Sequence, residues 1–292
     1  SKHAWDVVVG RQVMTWGTGD LVFLNDHFRK DWISFFSGRD DDYLKAPASA
    51  VRATRYSAAW SVDVAWVPIF EPDRYLTGER FSNAAPSVPV SGLEPPRTIE
   101  NGEWALRLFR NVGATELAIY GYRGFHHQPN IVNEAGRPTF AGLTSIGASA
   151  RRPLGPGIAN AETAFFESRD GLPDQWRVLA GYEWEPVSRT NLGLQYYVEH
   201  SRSRPTPSTD RTRHLVTVRL TYRTAQDRLT AGLFAFVSPS DDDGYLRPQL
   251  TYRHDDRLTV SGGANFFFGE RQTFFGQLDR NDNVYLRLRY HH

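Results

Sequence analysis

Strict alternation of apolar and polar side chains, over stretches of about ten residues, is the feature that most limits what this chain can become. Trp176, Val178, Ala180, Tyr182 and Trp184 alternate with Arg177, Leu179, Gly181 and Glu183. His214, Val216, Val218, Leu220 and Tyr222 oppose Thr217, Arg219, Thr221 and Arg223, and Val284, Leu286, Leu288 and Tyr290 oppose Arg287 and Arg289. A period of two sends successive side chains to opposite faces of a strand. Counted along residues 1–292, the pattern predicts roughly fourteen strands. It begins with His3–Met14 and runs through Ala50–Tyr56, Trp60–Trp66 and Trp104–Leu108.

Helical spacing appears almost only in residues 26–36, where Phe28, Trp32, Phe35 and Phe36 recur every three to four positions. Asn25 or Asp26 is the expected cap of that helix, because a short polar side chain accepts from the orphan amides of a first turn. Gly38 is the expected stop. The connections alternate in length. Short turns fall near 57–58, 111–114, 153–157, 186–190, 224–227 and 254–257, and longer loops span 15–48, 69–101, 126–138, 168–173, 201–212, 238–244 and 269–281. Short turns on one rim and long loops on the other are the pattern of an outer-membrane barrel. The expectation is therefore an all-β, transmembrane, antiparallel up-and-down barrel forming one domain over 1–292, with a short helical insert in its first long loop. An even strand count sets both termini on the short-turn, periplasmic side.

A soluble propeller or sandwich also alternates. It builds strands of about five or six residues, and no repeat of propeller length is visible. Here aromatics reach 13% of residues and stand at the ends of apolar stripes, which suits interfacial girdles. Pro248 is the awkward residue, since it removes a ladder donor inside a strand; a local bulge is expected there. No run is apolar enough for a transmembrane helix. No leader pattern opens the sequence at Ser1, so a mature, trimmed or cytoplasmic chain is expected. The chain has no cysteine, which rules out disulfides, thiolate metal sites and a cysteine nucleophile. A formal net charge of +1 creates no field that draws nucleic acid; the basic residues are dispersed, without stacking aromatics, and no nucleic-acid partner is expected.

The run from Trp16-Gly-Thr-Gly-Asp20 through Lys30-Asp-Trp32, preceded by Gly10-Arg11-Gln12 and followed by Tyr43-Leu-Lys-Ala-Pro47 and Pro68-Ile-Phe-Glu-Pro72, resembles a pattern in porin-like bacterial outer-membrane barrels. It is similar to a largely uncharacterised family near the alginate-export type. The motifs cover about the first quarter of the chain. The resemblance implies a bacterial (Gram-negative) outer-membrane location and a channel or export role, and no substrate or catalytic residue. It also implies further strands ahead of Gly10-Arg11-Gln12, so either the barrel is small or an N-terminal part is missing.

On the polar faces, Arg52, Arg107, Arg177, Arg219, Arg223, Arg247, Arg253, Arg287 and Arg289 are expected to point into a lumen with Asp6, Asp63, Glu103, Glu183 and Glu199. Arginine outnumbers carboxylate, so the expected traffic is small polar and mildly anionic solutes. The competing reading is that these charges pair across strands. The first loop is expected to fold inward as a constriction, with Asp26, His27, Arg29, Lys30, Asp31 and Trp32 along the pathway. Deleting 20–42 should then raise conductance. The acidic runs Asp40–Asp42 and Asp241–Asp243 read as solvated loops or, less favoured, calcium ligands. His126–His127 and His291–His292 lack a second ligand cluster, and no nucleophile elbow is present. No cofactor, metal or chemistry is expected. Partners are outer-membrane lipid, lipopolysaccharide and the solute. Two other readings stand: a structural barrel in an envelope complex, and a barrel hydrolase.

Overall fold

A computed structural model describes residues 5–79, 81–82, 91–202, 210–224 and 226–291. The expected strand start at His3, the prolines Pro86 and Pro89, and His292 lie outside these residues. Fourteen strands form one antiparallel sheet: β1 (Trp5–Gln12), β2 (Ala48–Arg55), β3 (Ser61–Val67), β4 (Glu103–Val112), β5 (Thr115–Phe125), β8 (Gly142–Leu154), β9 (Gly157–Ser168), β10 (Asp174–Val187), β11 (Thr190–Arg202), β12 (Arg211–Arg223), β13 (Leu229–Ser238), β14 (Asp243–Arg253), β15 (Leu258–Phe268) and β16 (Asn283–Tyr290). The strands neighbour one another in chain order, so every connection is a hairpin. The loop between β5 and β8 holds a separate two-stranded piece, β6 (Ile131–Val132) with β7 (Pro138–Thr139). β1 and β16 are the two edges.

Register follows the side-chain pattern. Gln195 stands opposite Thr217, and Glu199 opposite Arg213, on the polar face. Val198 faces His214, and Leu194 faces Val218, on the other. Pro248 is absorbed differently from the expectation of a bulge. The ladder between β14 and β15 is interrupted at Arg247 and Pro248 and resumes at Gln249↔Gly263 in unchanged register. A register shift occurs instead in the β10–β11 hairpin, between Trp184 and Val187.

The sheet is concave. A flat sheet of fourteen strands would be about 60 Å wide at about 4.8 Å per strand. Yet the segment between β1 and β2 touches polar-face residues almost from edge to edge. Trp16 Nε1 donates to Asp63 on β3 at 3.2 Å, and Gly19 N donates to Glu162 on β9 at 2.7 Å. Asp41 meets Arg247 on β14 at 2.7 Å, and Arg287 on β16 donates to Gly38 O at 2.6 Å. From Asp41, against β14, the chain returns to Ala48 on β2 in seven residues, at most about 25 Å, although the two strands stand ten places apart in the sheet, so the sheet curls around the segment.

That segment contains a single helical turn and a half, α1 (Trp32–Phe36), and a 3-10 turn at Asp41–Leu44. The helix is shorter than its aromatic spacing suggests. Its cap is Asp31, which accepts from Ser34 N at 2.8 Å, not Asn25 or Asp26. Asn25 is committed elsewhere, donating to Glu162 at 2.8 Å. Gly38 follows the helix with φ +77°, a left-handed residue at a helix end. Phe35 and Phe36 pack on Tyr245 at ring separations of 5.8 and 5.4 Å, and Phe36 on Phe267 at 5.4 Å. The apolar core of the molecule is therefore the contact between insert and concave wall.

The convex face is the reverse. Trp104, Ile146, Trp176, Leu250 and Leu286 are 50 to 74% exposed. Near the long-loop ends, Trp66 stacks on Trp104 at 5.5 Å and Phe165 lies 4.8 Å from Trp176. Near the short-turn ends stand Trp5, Tyr222, Tyr252 and Tyr290, all exposed.

Candidate functional site

Two glycines set the insert onto the wall. Gly17 has φ +82°, and a Cβ there would meet Glu162 Oε1 at 2.9 Å. This backbone turns the amides of Thr18 and Gly19 onto the Glu162 carboxylate. Trp16 on one side reaches Asp63, and Asp20 on the other pairs with Arg219, its amide donating to Gln195 at 3.2 Å. The Trp16-Gly-Thr-Gly-Asp20 run is thus a docking strip spanning β3 to β12.

The inward arginines are mostly engaged. Asp63, fully buried, accepts from Arg52 at 2.6 Å, Arg107 at 3.0 Å and Thr54 at 3.1 Å. Arg177 pairs with Glu199 at 3.1 Å. Arg219 and Arg247 meet Asp41 at 2.9 and 2.7 Å, and Arg287 and Arg289 both bind Asp40. Burial pushes the Asp40 carboxyl up, but its bonds to Arg289 and Arg287 outweigh this and hold it below its ordinary value. Asp40 and Asp41 are therefore wall anchors and not a solvated run. Their partners lie 178 to 249 residues along the chain, so nothing local signals the role. Arg223 and Arg253 sit exposed at the turn ends of β12 and β14. Glu183 accepts from Asn191 at 2.8 Å.

The charged residues expected along the pathway lie between the insert, the wall and the 68–102 connection. Lys30 is buried and bonds Asp26 at 2.9 Å; Asp31 pairs with Arg74 at 2.7 Å; Arg29 pairs with Glu71 at 2.9 Å. Trp32 Nε1 donates to Asp73 at 2.8 Å. The Pro68–Asp73 stretch is therefore a clamp on the insert. His27 stacks on Tyr122 at 4.4 Å and contacts Ser145 at 3.2 Å. Burial, reinforced by Arg177, pushes its pKa well below the ordinary value. His127 sits between Glu103 at 3.0 Å and Asp73 at 3.4 Å. Burial disfavours its charge, yet the two carboxylates prevail and raise its pKa to about 10. Tyr122 donates to the same Glu103. Among the described residues, no group of three or more His, Asp or Glu is arranged to hold a metal.

Among the described residues, cavities flank this assembly on both sides. On the short-turn side, one of about 460 Å³ is lined by Thr18, Asp20 and Asp41 of the insert and by Asn160, Gln195 and Thr217 of the wall. On the long-loop side, one of about 560 Å³ is bounded by Gln175, Glu199, Arg213 and Phe274. Another, of about 380 Å³, is bounded by Asp26, His27, Lys30, Trp32 and Phe274. Between the first and second lies a single layer of inward side chains. On β11 the order is Gln195, Tyr197, Glu199, and on β12 it is Thr217, Leu215, Arg213. Leu179, Tyr197 and Leu215 form that layer, at 0, 6 and 7% exposure, within the apolar cluster that includes Val22 and Leu24 of the insert.

No family model matches the sequence, and no curated protein matches it. Solved structures similar to the chain include a porin, 10% identical, with 82% of this chain and 80% of that chain covered at a TM-score of 0.49. An anion-selective porin from Comamonas acidovorans is 11% identical, with 85% of this chain and 75% of that chain covered at a TM-score of 0.48.

Proposed function

We propose that the sheet closes into a bacterial outer-membrane barrel and serves as a passive channel for small polar solutes, narrowed by the β1–β2 insert. One observation carries the reading: the polarity of the sheet is inverted relative to a soluble protein. Its convex face exposes apolar side chains strand after strand, with aromatics toward both rims, while its concave face carries the buried charged residues Asp63, Glu162 and Arg247 beside the aromatics that pack on the insert. A soluble monomer rarely exposes a contiguous apolar patch beyond a few hundred Å². Lipid accepts such a face, and girdles of aromatics flank an apolar band about 25 Å tall in known membrane barrels. From Trp176 to Trp184 the chain advances eight residues, about 26 Å of strand at about 3.3 Å per residue.

The arginine excess that suggests anionic solutes is largely matched by Asp20, Asp40, Asp41, Asp63 and Glu199. The pathway we propose is therefore polar with weak ion preference. Reconstitution into planar bilayers tests the reading. Discrete conductance steps with a reversal potential near zero in a salt gradient are expected; a folded protein that gives no steps removes the channel. The buried layer of Leu179, Tyr197 and Leu215 favours one second reading, a barrel sealed by its insert and serving an envelope complex. Leu179→Ala and Leu215→Ala discriminate. In a channel they raise conductance, and in a sealed scaffold both parent and variants stay silent.

A further inference from the structure

The two cavities on the long-loop side meet at one residue, Phe274. It lies in the last long connection, between β15 and β16. Its ring is 42% exposed. It is held from behind by Phe275, edge-on at 4.9 Å, and by the Arg213 guanidinium 5.4 Å from its centre. The ring is therefore positioned and still presents a face. The 380 Å³ cavity adds Phe23, Trp32, Phe125 and Phe166 as aromatic lining.

Between these rings stand groups suited to hydroxyls. Gln128 and Asn130 border the smaller cavity, and Gln175, Ser201 and Gln272 the larger. The charges on both linings are compensated locally. Arg177 is on Glu199 at 3.1 Å, Arg211 and Arg213 are on Asp241 at 2.6 and 2.8 Å, and Lys30 is on Asp26 at 2.9 Å. Such a site offers flat apolar faces and many hydrogen-bonding groups, but little net charge. Ion attraction is weak, Gln175, Ser201 and Asn130 are held in place by bonds within the wall, and Gln128 and Gln272 add amides that an apolar ligand would cover. The complementary ligand is uncharged, with an apolar face and a rim of hydroxyls, which is the chemistry of a saccharide ring. Each cavity lies within the range of about 300–1,000 Å³ of small-molecule sites. The Leu179, Tyr197 and Leu215 layer lies one inward side chain beyond Glu199 and Arg213 of the larger one, so a solute arriving from the long-loop side would pause there.

We propose that these two cavities form a binding site for a short neutral saccharide, with Phe274 as the shared stacking platform. The proposal rests on the channel reading for its place in a pathway, but binding is measured without transport. The full chain in detergent micelles is titrated with maltotriose by calorimetry. Parallel arms use a trimer of galacturonate and an aromatic amide, N-acetyltryptophanamide. Saturable maltotriose binding is expected. Phe274→Ala should weaken it about tenfold, while Phe274→Trp retains it, since stacking needs only a flat ring. Heat-modifiable migration on a gel confirms that each variant is folded. No maltotriose binding by folded parent, no loss in Phe274→Ala, or tighter binding of either parallel probe overturns the proposal. The channel reading stands or falls separately, on conductance measured with no saccharide present.

Discussion

Asp63 is a fully buried carboxylate that two arginines share. It sits on β3 with no solvent exposure and receives Arg52, Arg107, Thr54 and Trp16. Its charge is tolerable because two guanidinium groups face it in bonded geometry. Asp63→Ala leaves both arginines uncompensated and frees the Trp16 end of the docking strip. We expect a loss of about 3 kcal/mol, read as a lowered urea midpoint of the heat-modifiable form in detergent. His127 makes the opposite prediction, one of pH. Its folded pKa, about 10, lies above its ordinary 6.5. The folded protein therefore binds more protons between these values, and the stability from this histidine is complete below pH 6.5 and lost as pH rises toward 10. A urea midpoint that falls across this window, and a flatter profile in His127→Gln, is the expected result. Neither partner set was readable from sequence. Asp63 was recognisable as inward by its period, but its four donors come from three separate parts of the chain. In the sequence the His126–His127 pair stands without a second ligand cluster and without an evident partner; the fold gives His127 two carboxylates from other segments and gives His126 a Ser168 hydroxyl at 3.1 Å.

At the scale of elements, legibility divides along the same line. Strands were readable because a two-residue period is written locally: β10, β12 and β16 lie where Trp176–Trp184, His214–Tyr222 and Val284–Tyr290 alternate. The helix α1 was readable as an aromatic cluster but not in its extent, because Asn25 and Asp26 are committed to Glu162, Thr15 and Lys30 and leave capping to Asp31. The insert's anchoring carboxylates were unreadable for want of any local partner. Their weight is testable. Asp40 and Asp41 between them pair with Arg219, Arg247, Arg287 and Arg289. Asp40→Asn combined with Asp41→Asn removes two negative charges from the inner surface and keeps the side-chain size. The reversal potential should move toward anion preference, and current noise should increase as the tip of the insert loosens. An unchanged reversal potential would place these residues away from the ion path.

For the whole molecule, the question is the seam. β1 and β16 are the sheet's edges, and Val284, Leu286 and Leu288 are exposed more fully than comparable residues on interior strands such as Leu250. Unpaired backbone groups are intolerable in a bilayer core, so a membrane barrel pairs both edges, with each other or through further strands. Hydrogen exchange of the lipid-reconstituted protein checks this. Amides of β1 and β16 should be protected to the level of β10 and β11, and rapid exchange confined to the two edges would leave the sheet open.

The insert's long-range anchors also order events in time. Every strand of the large sheet pairs with its neighbour in chain order, so the wall can assemble hairpin by hairpin, each step closing only the connection between adjacent strands. The insert's bonds join residues far apart, such as Thr18 with Glu162 and Asp40 with Arg287, separated by 144 and 247 positions. Contacts of such separation reward the chain only after the loop entropy between them has been met. The insert should therefore dock last, onto a wall already curled. During refolding into lipid vesicles, gel-shift resistance is expected to appear before the fluorescence of Trp16 and Trp32 settles. Replacing the other six tryptophans isolates that signal.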